Sequence, residues 1–177
     1  IGSSRRFAYR NYSVSTISDQ LLGYGYGSLI FIDLKTRKAI PIPKHLLKYP
    51  THSKIYNEHQ FKKIPLENIN HNQNHNVSKE ISVNHQDIDI YQHVNNVSYL
   101  KWVLNSFETS FLNKHQLTAV ELQYRKELNI DNKAQMIINS MKNKTSQSPR
   151  LIHLIYKDDN NKPATIIITE WRLRNNQ

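Results

Sequence analysis

The chain has 177 residues, of which 38% are hydrophobic and none is cysteine. That length allows one ordinary domain or two small ones with a real core. The lack of thiols excludes a disulfide scaffold and cysteine nucleophiles, and makes a cytoplasmic home the expectation. Lys and Arg number 24 against 14 Asp and Glu, a formal charge of +10, which suits a solvated basic surface or an acidic partner. The basic residues are spread in short clusters such as Arg5-Arg6 and Lys62-Lys63 rather than gathered on one helix or loop, so no nucleic-acid partner is expected.

No run approaches the roughly 18 consecutive apolar residues of a membrane span, so no span is expected. No basic flank, apolar stretch and small-residue cleavage site open the chain either, so it shows no secretory signal.

Arg5 to Val14 reads as a strand, Ser18-Asp19-Gln20 as a turn and Leu22 to Asp33 as a second strand. In the second strand Gly23, Gly25 and Gly27 alternate with Tyr24, Tyr26 and Ser28. Glycine weakens a strand, so three on one face predict a surface that something approaches closely. Thr36-Arg37-Lys38 is a second turn, and Ile40-Pro41-Ile42-Pro43 leaves the sheet because proline cannot donate to a ladder. His45 to Lys63 is weakly helical, and Pro65 to Lys79 is dominated by Asn, His and Gln. The expected organisation is a first unit over 1–63, a polar linker over 64–78 and a second unit over 79–177.

In the second unit Glu80 to His85 predicts a short strand. Val97, Leu100, Leu104, Phe107 and Phe111 then follow helical steps and predict one continuous helix ending at Asn113-Lys114. Four strands follow, over Leu117 to Asn129, Ala134 to Asn143, Arg150 to Lys157 and Pro163 to Arg172. Polar turn clusters such as Asp131-Asn132-Lys133 predict antiparallel hairpins between them. One striped helix and an antiparallel sheet curling around it make an α+β layer solution.

The chemistry gathers where strand gives way to helix, in Asp87-Ile88-Asp89-Ile90-Tyr91-Gln92-His93-Val94-Asn95-Asn96-Val97. Backbone N–H groups go without intrahelical partners at a helix start and can hold an oxyanion, while nearby acids and bases move protons. Asp87, Asp89, His93, Asn95 and Asn96 are the local candidates, with Glu127 brought from the strand Leu117 to Asn129. Plainer roles stand beside these: Asp87 and Asp89 as acids favoured by the helix dipole, His93 as a satisfied polar residue, Glu127 as a surface residue, and Asn95-Asn96 as caps. No serine here has the Gly-x-Ser-x-Gly setting of a hydrolase elbow. His59, His71, His75 and His85 lack metal-site spacing, so neither a metal nor another cofactor is expected.

The stretch Asp87 to Trp102 resembles the second-domain signature of the acyl-acyl-carrier-protein (acyl-ACP) thioesterases. Glu121-Leu122-Gln123-Tyr124-Arg125-Lys126-Glu127 resembles their downstream strand motif, and Thr36 to Pro43 the segment closing their first domain. The resemblance implies a tandem hotdog fold, two copies of a helix wrapped by an antiparallel sheet. The first copy here is expected to be incomplete, its missing helix packing on Gly23, Gly25 and Gly27. The resemblance further implies Asp89, His93 and Glu127 as the catalytic constellation. Glu127 and His93 would activate a water, with Asp89 orienting them and backbone N–H groups of Val94 and Asn95 holding the oxyanion. One such donor is worth roughly 3 kcal/mol of barrier.

The family usually has an asparagine where this chain has Tyr91, whose hydroxyl cannot supply an amide's paired donor and acceptor. The implied partner is the acidic acyl carrier protein bearing a fatty acyl thioester, with free fatty acid as product. A hotdog acyl-CoA thioesterase and a degenerate acyl-binding hotdog protein are the alternatives. An incomplete first copy exposes an apolar sheet face, so a homodimer is expected.

Overall fold

The computed structural model describes residues 2–3, 6–48, 64, 77–141, 148–158 and 160–174. The chain divides into two compact units, Ile1–Lys62 and Lys63–Gln177. Among the described residues no helix is long and apolar enough to cross a membrane.

The first unit is a four-stranded antiparallel sheet in the order β1 (Gly2–Ser3), β2 (Phe7–Ser15), β3 (Leu21–Ile32), β4 (Ala39–Ile40). The β2–β3 turn closes through Thr16 N–H to Gln20 O at 2.9 Å, with Asp19 in the left-handed region that Asp tolerates well. Pairing sets Tyr12 opposite Gly25. The Tyr12 side chain lies over two of the three alternating glycines, at ordinary contact distance. A Cβ on Gly27 would lie 3.5 Å from the Tyr12 ring and one on Gly25 3.9 Å from the Tyr12 Cβ, whereas Gly23 has nothing within 4 Å. Among the described residues, the neighbour over the glycine face is a cross-strand tyrosine.

The turn after β3 is held by Asp33 Oδ1, which accepts from the backbone N–H of Lys35 and Thr36 and from the Thr36 hydroxyl at 2.7–3.1 Å. The Thr36 N–H, then its hydroxyl, lower the pKa of this exposed carboxylate. β4 stops at Pro41 as expected. Of the weak helix predicted over His45 to Lys63, Leu46–Lys48 forms one 3-10 turn, and 49–63 lie outside the described residues.

The second unit runs β5 (Val77–Ile81), a 3-10 turn at His85–Asp87, α1 (Asn96–Asn105), α2 (Thr109–Lys114), β6 (His115–Tyr124), β7 (Ala134–Ser140), β8 (Arg150–Lys157) and β9 (Thr165–Leu173). Val77 and Ser78, assigned above to the linker, pair with Ile138 and Ile137 and belong to the sheet. Ile64 packs with Ile152, Leu154, Ile166 and Ile168, while 65–76 lie outside the described residues.

The antiparallel sheet has the order β5-β7-β8-β9-β6. β7, β8 and β9 are joined by hairpins as predicted, but β6 and β7 are not. β6 pairs with β9, Glu121 facing Ile168. The turn at Asp131-Asn132-Lys133 is tied instead to the β8–β9 connection, where Asp158 accepts from Lys133 N–H at 3.0 Å and from Asn132 Nδ2 at 3.1 Å. A polar turn cluster marks a reversal but does not choose the partner strand.

The predicted single helix is broken between Asn105 and Thr109. The Ser106 hydroxyl turns back to Val103 O at 2.7 Å, and Lys79 Nζ donates to Ser106 O at 2.5 Å. The buried stripe of α1 is also rotated from the expected one. Tyr99 and Val103 are nearly inaccessible while Val97 is 59% exposed. Phe107 and Phe111 reach the core because the break changes the phase, stacking at 4.7 Å and meeting Trp171 edge-on at 4.9 and 5.1 Å.

Tyr99 and Val103 pack with Val94, Leu128, Met136, Ile155 and Ile167. A second cluster of Ile152, Leu154, Ile166 and Ile168 covers the opposite sheet face. Being buried on both faces, β8 and β9 read as near-continuous apolar runs. His153 is fully buried among them, its Nε2 3.0 Å from Thr169 Oγ1, which also accepts from Trp171 Nε1 at 2.9 Å. The Thr169 hydroxyl thus serves both rings. Nδ1 has no partner among the described residues. Burial pushes the His153 pKa down to about 4.

Candidate active site

The stretch from Ile88 to Val94 is a tight loop closed by an antiparallel bridge between those two residues. Asp89 N–H donates to His93 O at 2.8 Å, and Gln92 N–H to Asp89 O at 3.0 Å with Gln92 at φ 63°. Asp89 Oδ1 accepts from Tyr91 N–H at 2.8 Å and from His93 N–H at 3.2 Å. The Asp89 carboxylate therefore shapes the loop and meets His93 through its backbone. Ile90 and Tyr91 form an exposed tip, with Tyr91 66% accessible.

Asn95 caps α1, its Oδ1 accepting from Val97 N–H at 2.9 Å and its carbonyl from Ser98 N–H at 2.9 Å. Asp87 is buried, takes Asn84 N–H on its carboxylate at 3.1 Å and accepts Asn95 N–H on its carbonyl at 2.7 Å. Val94 N–H donates to Leu128 O, also at 2.7 Å. These last two bonds overturn the expectation that Val94 and Asn95 present oxyanion donors, because both N–H groups are already spent on carbonyls. The free donor lies one residue further on. Asn96 is the first residue of α1, and its N–H has no partner among the described residues. The cap at Asn95 was the sequence signal for that register.

Glu127 lies beyond the strand on which it was expected. β6 ends at Tyr124, where Arg125 N–H and Lys126 N–H both turn onto Ala164 O at 2.8 and 3.0 Å and break the ladder. Leu128 is then fully buried and anchors the segment beside Val94. The result is a direct pairing of Glu127 Oε2 with His93 Nε2 at 3.2 Å, with side-chain exposures of 50% and 25%. Lys157 Nζ holds the Glu127 carbonyl at 3.3 Å.

So the structure joins His93 to Glu127, sets Asp89 behind the loop, and leaves Tyr91 at its tip. Tyr124 was missed as a site residue. Its hydroxyl donates to Asn96 O at 3.0 Å, and its pKa is raised to about 12 by burial and then by Tyr99.

A cavity of about 460 Å³ lies beside α1, lined by residues including Lys79, Asp87, Lys101, Trp102 and Met136, but by none of Asp89, His93 and Glu127. The chemistry is therefore assigned to the acid–imidazole pair and the helix start rather than to this cavity. No cluster of three potential metal ligands occurs among the described residues. His59, His71 and His75 lie outside those residues.

A helix laid on a curled antiparallel sheet is the hotdog class of fold, and solved acyl-ACP thioesterases share that fold. The 12:0-ACP thioesterase of Umbellularia californica superposes with a TM-score of 0.75 at 18% identity, over 98% of this chain and 63% of that one. An acyl-ACP thioesterase of Bacteroides thetaiotaomicron gives 0.70 at 18% identity, over 97% and 65%.

The chain belongs to the acyl-ACP thioesterase family, matching its C-terminal domain over residues 70–173. A palmitoyl-acyl carrier protein thioesterase, chloroplastic, of Gossypium hirsutum is 33% identical over 103 residues, 54% of this chain and 24% of that protein. Oleoyl-acyl carrier protein thioesterase 2, chloroplastic, of Arabidopsis thaliana is 40% identical over 63 residues, 36% of this chain and 16% of that protein. The match thus spans a quarter or less of these relatives' lengths, and under two thirds of the solved structures.

Proposed function

We propose that the chain is part of an enzyme that hydrolyses the thioester linking a fatty acyl group to acyl carrier protein. The observation that carries this is the His93–Glu127 pair at 3.2 Å, with His93 three residues before Asn96, whose N–H is unpaired among the described residues. The plant relatives, palmitoyl- and oleoyl-acyl carrier protein thioesterases, supply the substrate class. Glu127 takes a proton from water, with His93 sharing the charge. The water oxygen adds to the thioester carbon, and the Asn96 N–H donates to the oxyanion. Collapse breaks the C–S bond, and the sulfur leaves with a proton returned through His93. The products are a free fatty acid and the carrier thiol. Asp89 keeps His93 in place by bonding its backbone N–H. The +10 charge favours an acidic carrier.

The test uses the full-length protein and one acyl chain presented on carrier protein and on coenzyme A. Carrier-bound substrate is hydrolysed faster, with an advantage that shrinks as salt rises. Glu127→Gln and His93→Ala each cut kcat by about 10² to 10⁴. Equal, salt-independent rates on both carriers move the substrate to acyl-CoA. A parent no faster than either variant refutes hydrolysis and leaves an acyl-binding protein, the outcome that Tyr91 in place of the family asparagine would favour. Self-association belongs to the same proposal, since the first unit leaves Tyr12, Val14 and Tyr24 exposed. Sedimentation at two protein concentrations tests it, and a monomer at both rejects it.

A further inference from the structure

Two ties cross from the segment at and beyond the end of β6 to the loop–helix junction, on either side of Glu127 in sequence. One is buried, Val94 N–H to Leu128 O at 2.7 Å. The other is made by a side chain: the Tyr124 hydroxyl donates to the carbonyl of Asn96 at 3.0 Å. Asn96 is the residue whose own N–H is left free at the start of α1, and Tyr124 lies three residues before Glu127 in the chain. The Tyr124 ring is itself fixed. It meets Tyr99 edge-on at 5.5 Å, and Tyr99 is 2% exposed and edge-on to Trp102 at 5.2 Å. Tyr99 packs in turn in one core cluster with Leu128, the residue after Glu127. One aromatic pair thus links the helix start to the segment carrying the acid.

A carbonyl in the first turn of a helix already has an intrahelical role, so a side-chain donor is not needed to satisfy it. What the Tyr124 hydroxyl adds is a fixed position for Asn96 relative to Glu127. The N–H and C=O of one residue share its Cα, so holding the carbonyl limits how far the N–H can swing. We propose that Tyr124 is a positioning residue for thioester hydrolysis. Its hydroxyl holds Asn96 so that the Asn96 N–H and the Glu127 carboxylate address the same thioester. This rests on the function proposed above. The raised Tyr124 pKa agrees with it, since the hydroxyl remains a donor at neutral pH and above.

Tyr124→Phe in the full-length protein isolates the hydroxyl, because the ring contact with Tyr99 is kept. On a palmitoyl-carrier-protein thioester, kcat falls about tenfold to a hundredfold, the loss expected when a positioned group is allowed to drift. KM stays within about twofold and Tm within about 2 °C, since only one half-exposed hydrogen bond is removed. Amide hydrogen exchange supplies a second readout independent of turnover. Val97 and Ser98, whose N–H groups bond Asn95, exchange faster in Tyr124→Phe, whereas Val94, held by Leu128, does not change. Unchanged kcat, or a loss seen only in KM, overturns the proposal. If the parent itself shows no turnover, the function proposed above fails, and exchange alone decides Tyr124: faster exchange confined to the helix start upholds its positioning role, and unchanged exchange rejects it.

Discussion

Lowering the pH from 7.5 to 5.0 should cost this fold about 2 kcal/mol through His153 alone. The imidazole is fully buried, and burial holds its pKa near 4. In the unfolded chain it returns to the ordinary value of about 6.5. Between those two values the unfolded chain binds the proton and the folded chain does not. Acid therefore favours unfolding. The contribution is fully present above about pH 6.5 and is lost as the pH falls towards 4. Over the whole window it amounts to about 3 kcal/mol, and at pH 5.0 about two thirds of it is gone.

The assay is urea denaturation of the parent and of His153→Phe at pH 7.5, 6.5, 5.5 and 5.0. His153→Phe starts lower, because it removes the partner of the Thr169 hydroxyl, but it should lose about 2 kcal/mol less than the parent across that range. Subtracting one series from the other cancels the remaining histidines. Imidazole NMR of the folded parent gives a direct check, since the His153 ring should not titrate above pH 5. Parallel stability curves, or a His153 resonance titrating near 6.5, would refute the assignment of this buried ring as neutral.

Asn95→Ala removes the oxygen that caps Val97 N–H and should cost about 1 kcal/mol in chemical denaturation. It should also lower kcat more than it raises KM, because the free Asn96 N–H follows directly after the lost cap. Leu128→Ala opens a cavity at a fully buried position and should cost about 2–5 kcal/mol. Thermal denaturation measures this, and the His93–Glu127 pair should loosen in the same variant because Leu128 anchors both sides of it.

Most of the strands were legible because their turns are polar and their runs apolar. β8 was placed to the residue, and the others within a few positions. Pairing was harder. Nothing local to Leu117–Tyr124 says that β6 will lie beside β9, since that contact joins residues about fifty positions apart. The helix misled for a related reason. Val97, Leu100 and Leu104 form as regular a stripe as Tyr99, Trp102 and Val103, and the break that follows α1 is accompanied by a tertiary bond from Lys79 to Ser106 that no local pattern shows. At the site, the residue types marked His93 and Glu127, and the family resemblance assigned them together. That the Val94 and Asn95 N–H groups are already occupied was not legible, because availability depends on which carbonyls approach them, and one of these belongs to the distant Leu128. Tyr124 gave no signal at all. Its role is a distance to a backbone oxygen, which no residue pattern encodes.

The double-sided burial of β9 has a consequence for the chain before it folds. Ala164-Thr165-Ile166-Ile167-Ile168-Thr169 carries no charge, is β-branched after its first residue, and is buried throughout. Unpaired, such a segment is a template for intermolecular cross-β stacking. Its neighbours limit that risk. Lys162 and Pro163 precede it, and Glu170 and Arg172 follow, acting as gatekeepers that resist stacking in register. Chain order adds a second safeguard. Both strands that flank β9, β8 and β6, precede it in the sequence, so a ribosome delivers this segment only after the strands that will cover its edges have been made.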